Sequence, residues 1–421
     1  MSEEAKKRKY SATRIKRKLL YFLLLFVVLA IFGKYYKHEM FNVDLKAQQW
    51  EWIIECGKYE DIYFISTDLI AVKNNKNKIG IINVDGELVC PFIYDSISKF
   101  TEGRAIASND GKYVYIDENA KQVIESTYEC VKNYSDGMGA VKEDGKWGFI
   151  DKEGKIVIEC EYDEVFGFSE DRALVKIGDK WNFIDKNGKL LLKESCNQAR
   201  TFQGGMAAIC VKEKWGFINK NGEIVVSCEY DEVGDFSEGY AAIKKGNYWG
   251  YIDINGNLCI DFKYVDAKKY SEGLAAVKIV NQEGISEWGY IDKMGNLSID
   301  FQVYDAAEGR REYVGEFKDG IAFVTKEVYC AMDKEGNILC GDNSIFFISS
   351  CIYYSEYDVI PGFVYADKEM KVKKYGLMGI DGKQKLAPVF DGIGEINGQY
   401  LIVEEHVGES YCKGIIQFRL D

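Results

Sequence analysis

The hexapeptide Lys146-Trp147-Gly148-Phe149-Ile150-Asp151 returns along the chain at a constant interval, and this repeat limits the possible folds more than any other feature. Close copies stand at Lys214-Trp215-Gly216-Phe217-Ile218-Asn219, Trp249-Gly250-Tyr251-Ile252-Asp253 and Trp288-Gly289-Tyr290-Ile291-Asp292. Degenerate copies stand at Ile79–Asn83, Tyr113–Asp117 and Trp181–Asp185. The second motif position falls at 80, 114, 148, 182, 216 and 250, every step being 34 residues. Later copies at 289, 331 and 376 follow steps of 39, 42 and 45, and Lys413-Gly414-Ile415-Ile416 reads as a terminal half-copy. A second landmark, Phe100, Tyr134, Phe168, Phe202, Phe236 and Tyr270, keeps the same 34-residue step and opens turns such as Phe236-Ser237-Glu238-Gly239. Two landmarks in register commit the chain to a stacked repeat, in which each unit buries its apolar surface against its neighbours.

The same period also suits pairs of helices, but the unit chemistry excludes them. Each copy carries several glycines and dense β-branched and aromatic residues, which are poor helix formers and good strand formers. Ala207–Val211, Lys214–Ile218 and Glu223–Val226 read as successive strands, with a shorter fourth segment beginning at Tyr230. The loop Asn219-Lys220-Asn221-Gly222 reads as a hairpin with Gly222 at positive φ after a type I turn, and the Asp/Asn-x-x-Gly pattern recurs at 151–154, 185–188, 253–256 and 292–295. The expected fold is all-β: an array of about eight to ten short antiparallel units, as an open twisted array or a propeller-like ring, after one N-terminal transmembrane helix. Ten units exceed the usual count of about four to eight blades, which favours the open array.

The Trp-Gly core, the aromatic-Ile-Asp-Lys-x-Gly hairpin, the Tyr-Asp pair and the Phe-Ser-Glu-Gly turn together resemble the bacterial WG-repeat proteins, across roughly residues 62–392 and more weakly to Asp421. The copies at 114, 182 and 331 depart from the pattern in lacking the glycine, and those at 114 and 331 also lack Trp. The resemblance implies a β-rich repeat module of envelope or exported proteins. It implies no defined reaction, so no catalytic residue is carried over.

The N-terminus is a separate electrostatic object. Eight basic residues against Glu3 and Glu4 give the first 18 residues a charge of +6, so in a chain of net −13 the remainder carries −19. Leu19–Phe32 is an apolar run of 14 residues, about 21 Å as a helix, and Gly33, Lys34, Tyr35 and Tyr36 extend it to a marginal span. We expect a basic cytoplasmic tail over 1–18, a transmembrane signal anchor over 19–36, a linker over 37–61 and a repeat domain over 62–421 outside the cytoplasmic membrane. The alternative is a cleaved signal peptide, with Val28-Leu29-Ala30 as the site, and a secreted protein. Within the linker, Val43–Glu55 reads either as a short amphipathic helix or as a plain connection.

The chain carries few of the usual marks of chemistry. Its two histidines, His38 and His406, nearly exclude a histidine metal site or a Ser-His-Asp triad. No phosphate-cradling glycine loop follows a strand, and the acidic body argues against nucleic acid. The acids Asp163-Glu164 and Asp231-Glu232 suggest calcium, but no unit supplies the five or more clustered oxygens of a dedicated loop, so they read as solvated turns. The 12 cysteines include no Cys-x-x-Cys and read as small apolar filler. Trp147, Trp181, Trp215, Trp249 and Trp288, with Gly148, Gly216, Gly250 and Gly289, are the structural repeat motif. Those tryptophans read as buried aromatics, with a sugar-stacking ladder as the alternative. No catalytic, cofactor-binding or metal residue is assigned. The expected function is a non-catalytic, membrane-anchored scaffold binding a protein or peptide. The alternatives are a cell-wall glycan-binding module and a hydrolase built from repeat carboxylates.

Overall fold

The computed structural model describes residues 50–124, 128–302, 313–325, 329–340, 347–348, 351–365, 372–407 and 410–418. The cytoplasmic tail and the transmembrane span expected over 1–36 lie outside them. The chain divides into one compact unit of Gln49–Phe363 with Lys374–Asp421 and a second of Met1–Gln48 with Val364–Lys373. Of the second, only the ends of strands Val359–Tyr365 and Lys373–Gly379 are described.

The large unit is a propeller-like ring of ten small antiparallel sheets, nine of them with their strands in sequence order. Blade 5 is representative: Gln198–Ala199, Met206–Val211, Lys214–Asn219 and Ile224–Tyr230. The segment after Tyr230 does not complete this sheet. Glu232–Val233 pairs with Tyr240–Lys245 and is the first strand of blade 6. Of the two arrangements compatible with the repeat, the ring forms, and the open array favoured by the unit count does not. The reason lies at the chain ends. Lys413–Ile416 belongs to the third strand of blade 10, Ser410–Phe418, and Trp50–Ile54 pairs beside it as the fourth, with Trp50 opposite Phe418 and Trp52 opposite Ile416. The stretch expected to be a helix or plain linker is therefore partly a strand, because its alternating Trp50, Trp52 and Ile54 suit a half-buried sheet edge. Asn397 donates from Nδ2 to the carbonyls of Ser66 (2.8 Å) and Thr67 (3.0 Å), and Lys413 pairs with Asp61 at 2.7 Å, so the tenth blade is joined to the first.

The motif glycine lets the fourth strand approach the third closely. A Cβ on Gly148, Gly216, Gly250 or Gly376 would lie 2.4, 2.3, 2.5 or 2.4 Å from the carbonyl oxygen of Ile158, Val226, Ile260 or Leu386 in the adjacent strand. Only glycine admits that approach, which falls at a bulge where the register slips. Among the described residues the three blades with three-stranded sheets are those centred on Val114, Asn182 and Ala331. These are the copies without the glycine; among the described residues those at Val114 and Asn182 lack the fourth strand, whereas that at Ala331 keeps a short one, Ile338–Cys340, and lacks the first. In blade 4, Asn182 substitutes its side-chain amide for the missing ladder: Oδ1 accepts from Leu192 N at 2.9 Å and Nδ2 donates to Leu192 O at 2.9 Å.

The six boundaries from blade 2 to blade 8 share one recurring aromatic contact. The third-strand aromatic meets the turn aromatic of the next blade edge-to-face: Tyr115–Tyr134, Phe149–Phe168, Phe183–Phe202, Phe217–Phe236, Tyr251–Tyr270 and Tyr290–Phe317, all with centroids 4.8 to 5.1 Å apart. Where the first partner is tyrosine, its hydroxyl also crosses the boundary, as Tyr115 to Lys132 O and Tyr251 to Lys268 O, both at 2.7 Å. The acid-Gly turns form a second circumferential link. Glu102, Glu170 and Glu238 accept the amides of Gly137, Gly205 and Gly273 in the following blade's turn at 2.9, 2.9 and 3.0 Å. In Thr101–Arg104 both central residues, Glu102 (φ 51°) and Gly103 (φ 77°), are left-handed, the type I′ conformation of a two-residue hairpin.

Candidate functional site

The motif tryptophans are sites of packing and cation contact. Trp147, Trp249 and Trp288 are buried, and Trp181 and Trp215 half-buried. Each has a cation near its ring: Lys132 over Trp147 at 4.8 Å, Lys176 over Trp181 at 5.5 Å, Arg200 over Trp215 at 5.0 Å, Lys244 over Trp249 at 5.5 Å, and Lys268 and Lys278 over Trp288 at 5.6 and 5.5 Å. Gly148, Gly216 and Gly250 lie beneath the adjacent strand as described above, and Gly289 pairs with Val277.

Three of these cations share a further role. Lys132 and Arg200 reach across to the next blade and donate to Val165 O (2.6 Å) and Val233 O (2.8 Å), and Lys268 donates likewise to Val314 O. They recur every second unit, at 132, 200 and 268. Sequence reasoning missed them, although this 68-residue spacing was a signal. At the corresponding position blades 8 and 10 carry Gly315 and Gly394, whose amide or sheet position is otherwise the same. Each of these glycines lines a cavity.

The first cavity, ≈ 580 Å³, is bounded by Lys268, Lys269, Tyr313, Glu316, Cys351 and Tyr353. The second, ≈ 560 Å³, is bounded by Ile352, Tyr354, Pro361, Tyr375, Ile393 and Glu395. Ile352 borders both and is 49% exposed. These cavities fall in the sector where the repeat interval lengthens, and Cys351–Tyr354 lies between them in the 45-residue interval from 331 to 376. The aromatic pair Tyr290–Phe317 is kept here, and its Phe317 forms part of the wall of the first cavity.

The first cavity has one ion pair, Lys269 to Glu316 at 3.2 Å. Tyr353 donates its hydroxyl to Asp358 Oδ1 at 2.9 Å, and burial followed by that hydrogen bond pushes it up to about 12. Burial pushes the Cys351 thiol up to about 11. Tyr313 and Tyr354 are also raised, first by burial. All four are neutral at pH 7, so the walls offer hydrogen bonds and apolar surface to a ligand.

The repeated acids are engaged with lysines. Asp163 and Asp231 each pair with the lysine preceding the motif tryptophan, Lys146 and Lys214, at 2.5 Å, and accept the amides of Gly178 and Gly246. Those lysines hold both carboxyls below the usual range. Glu232 lies 3.4 Å from Lys244, and Glu164 stands opposite Lys176. Among the described residues no group of three or more His, Cys, Asp or Glu is arranged to hold a metal ion. None of the twelve cysteines is in a disulfide in this structure.

A family model described as "WG containing repeat" matches residues 50–77, 79–113, 115–147, 147–181, 183–215, 215–249, 249–281 and 288–327. None of the curated proteins matches the sequence. Among solved structures, the chain is similar to one titled "Crystal structure of the eukaryotic initiation factor", at 10% identity and TM-score 0.43, covering 75% of this chain and 94% of that one. It is also similar to Hsv2 of Kluyvelomyces marxianus (10% identity, TM-score 0.31, 66% of this chain and 93% of that one). A third is the WD40 β-propeller domain of Doa1 (11% identity, TM-score 0.25, 55% and 94%).

Proposed function

The chain belongs to the WG-repeat family, and from that premise we propose that it is a non-catalytic scaffold that binds a protein or peptide partner. The observation that carries this reading is the pair of cavities flanking Cys351–Tyr354, in the sector where the repeat interval lengthens. Each has the volume of a few side chains, and Ile352 stands exposed between them. Walls of Tyr, Ile, Lys and Glu suit an extended peptide that places an apolar side chain in one cavity and a charged one beside Lys269 and Glu316. The rest of the ring supplies rigidity, which limits the ordering entropy lost on binding. A cell-wall glycan is the weaker alternative, because the motif tryptophans that would stack on sugars are packed under cations. A carboxylate hydrolase is weaker still, since Asp163 and Asp231 are paired with lysines.

The basic tail and the apolar run at 19–32 support display of the ring outside the cytoplasmic membrane of a bacterium, with residues 19–36 as the anchor. Protease accessibility of the ring in intact cells tests that placement. Binding is tested by placing a photo-crosslinking residue at position 352 and, separately, at 88 in the regular sector, in cells expressing the full chain. A discrete protein adduct at 352 and none at 88 is expected. Equal adducts at both positions, or none at 352, refute the assigned surface.

A further inference from the structure

We infer that Cys56 and Cys412 are a disulfide-forming pair that locks the ring at its seam. Cys412 lies in Ser410–Phe418 and Cys56 two residues beyond Trp50–Ile54, the two strands whose pairing completes the tenth blade. Cys56 Sγ lies 3.7 Å from the carbonyl oxygen of Cys412. A Cβ on the next residue, Gly57, would sit 4.0 Å from Cys412 Cβ, so the turn carrying Cys56 rests against the partner cysteine. Both thiols are half-buried and within reach of a small oxidant. Cys196, Cys210, Cys330 and Cys340, which also have a cysteine neighbour, are buried, and Cys228 is half-buried but has only the buried Cys196 and Cys210 beside it.

The position gives the bridge its consequence. Every other blade boundary is crossed by the continuous chain, whereas the seam within blade 10 is held by strand pairing and side-chain contacts with no covalent link. A bond between residues 356 positions apart restricts the unfolded chain far more than the same bond within one blade. The strand it fastens is also the one that follows the N-terminal segment, so it holds the ring shut at the point where that segment joins.

The step needs an external oxidant of the disulfide class. One cysteine thiolate attacks that disulfide and releases a thiol. The second thiolate then displaces the remaining half, forming the Sγ–Sγ bond and a second thiol. The two protons lost by Cys56 and Cys412 leave with the two released thiols, and two electrons pass to the oxidant. Burial and the neighbouring Cys412 push Cys56 up to about 12, so the reaction speeds up as pH rises above neutrality.

The experiment treats the full chain with oxidised glutathione, alkylates the remaining thiols, maps the peptides and compares thermal unfolding with that of the reduced chain. We expect one linked peptide pair, Cys56 with Cys412, and a rise in the unfolding midpoint of about 5 °C that dithiothreitol reverses. Cys56→Ser and, independently, Cys412→Ser each abolish both changes while the other cysteines keep their alkylation pattern. A map in which Cys56 and Cys412 stay unlinked while other thiols oxidise overturns the proposal. So does a bridge that leaves the midpoint unchanged.

Discussion

Replacing Gly216 with alanine tests the claim that the motif glycine lets the fourth strand approach the third closely. The new methyl group would stand 2.3 Å from Val226 O and 2.8 Å from Cys228 N and the Ser227 carbonyl carbon. Ordinary contacts are about 3.5 Å, so strand Ile224–Tyr230 must retreat by about 1 Å. No rotamer relieves this, because the obstructing atoms are backbone. Overpacking of this kind destabilises by about 1–3 kcal/mol, and loosening one or two ladder hydrogen bonds adds about 1 kcal/mol each. The lower entropy of alanine in the unfolded chain returns about 0.4–1 kcal/mol. The expected net loss is about 2–4 kcal/mol. Gly167→Ala is the control: its Cβ meets only the Ser135 hydroxyl, at 2.4 Å, which turns aside, and a change below about 1 kcal/mol is expected. Urea unfolding followed by both tryptophan fluorescence and circular dichroism gives the totals, and hydrogen exchange of residues 224–230 locates the effect. If Gly216→Ala is no worse than Gly167→Ala, or the amides of 224–230 keep their protection, the steric account of the motif is wrong.

Other consequences can be checked on the same chain. Phe217→Ala removes a side chain that is 1% exposed and should lose about 3–5 kcal/mol; a double-mutant cycle with Phe236→Ala, whose ring lies 4.8 Å away, should return a coupling of about 0.5–1.5 kcal/mol. Glu272 is held below the usual carboxylate range, chiefly by its hydrogen bond from Lys334. Its stabilisation is therefore complete above the unfolded carboxylate value, lost as pH falls through the lower folded one, and worth less than about 1 kcal/mol at a partly exposed pair. Acid titration of Glu272→Gln against the parent should show that share of the loss gone. Burial pushes Tyr162 up to about 12, so its neutral phenol contributes stability that is complete below about pH 10 and lost as pH rises through about 12. Tyr162→Phe should resist alkaline unfolding better than the parent in a pH series read by circular dichroism.

Much of the fold was legible because each blade is a local object. The Asp151-x-x-Gly154 loop closes through neighbours in sequence, with Asp151 Oδ1 accepting from Glu153 N and Lys155 N at 3.1 and 2.8 Å and Gly154 at φ 84°. Such loops appear in the sequence as they do in space. The glycine-free copies at 114, 182 and 331 were visible as departures, and each lies in a blade with a shortened sheet. The alternating cations at 132, 200 and 268 were less legible, because a two-unit period is hidden beneath a one-unit motif.

The amino-acid sequence by itself determined the β-repeat, its period, its hairpins and the glycine at each close approach, since these depend on contacts within a few dozen residues. Tertiary structure alone decided that the array closes, that Trp50–Ile54 is a strand, and that cavities open beside Cys351–Tyr354. Closure depends on the small rotation between successive blades summed over ten of them, and no single repeat records that sum. The alternation of Trp50, Trp52 and Ile54 permits a strand, and the accumulated turn makes it one by bringing Phe418 opposite Trp50.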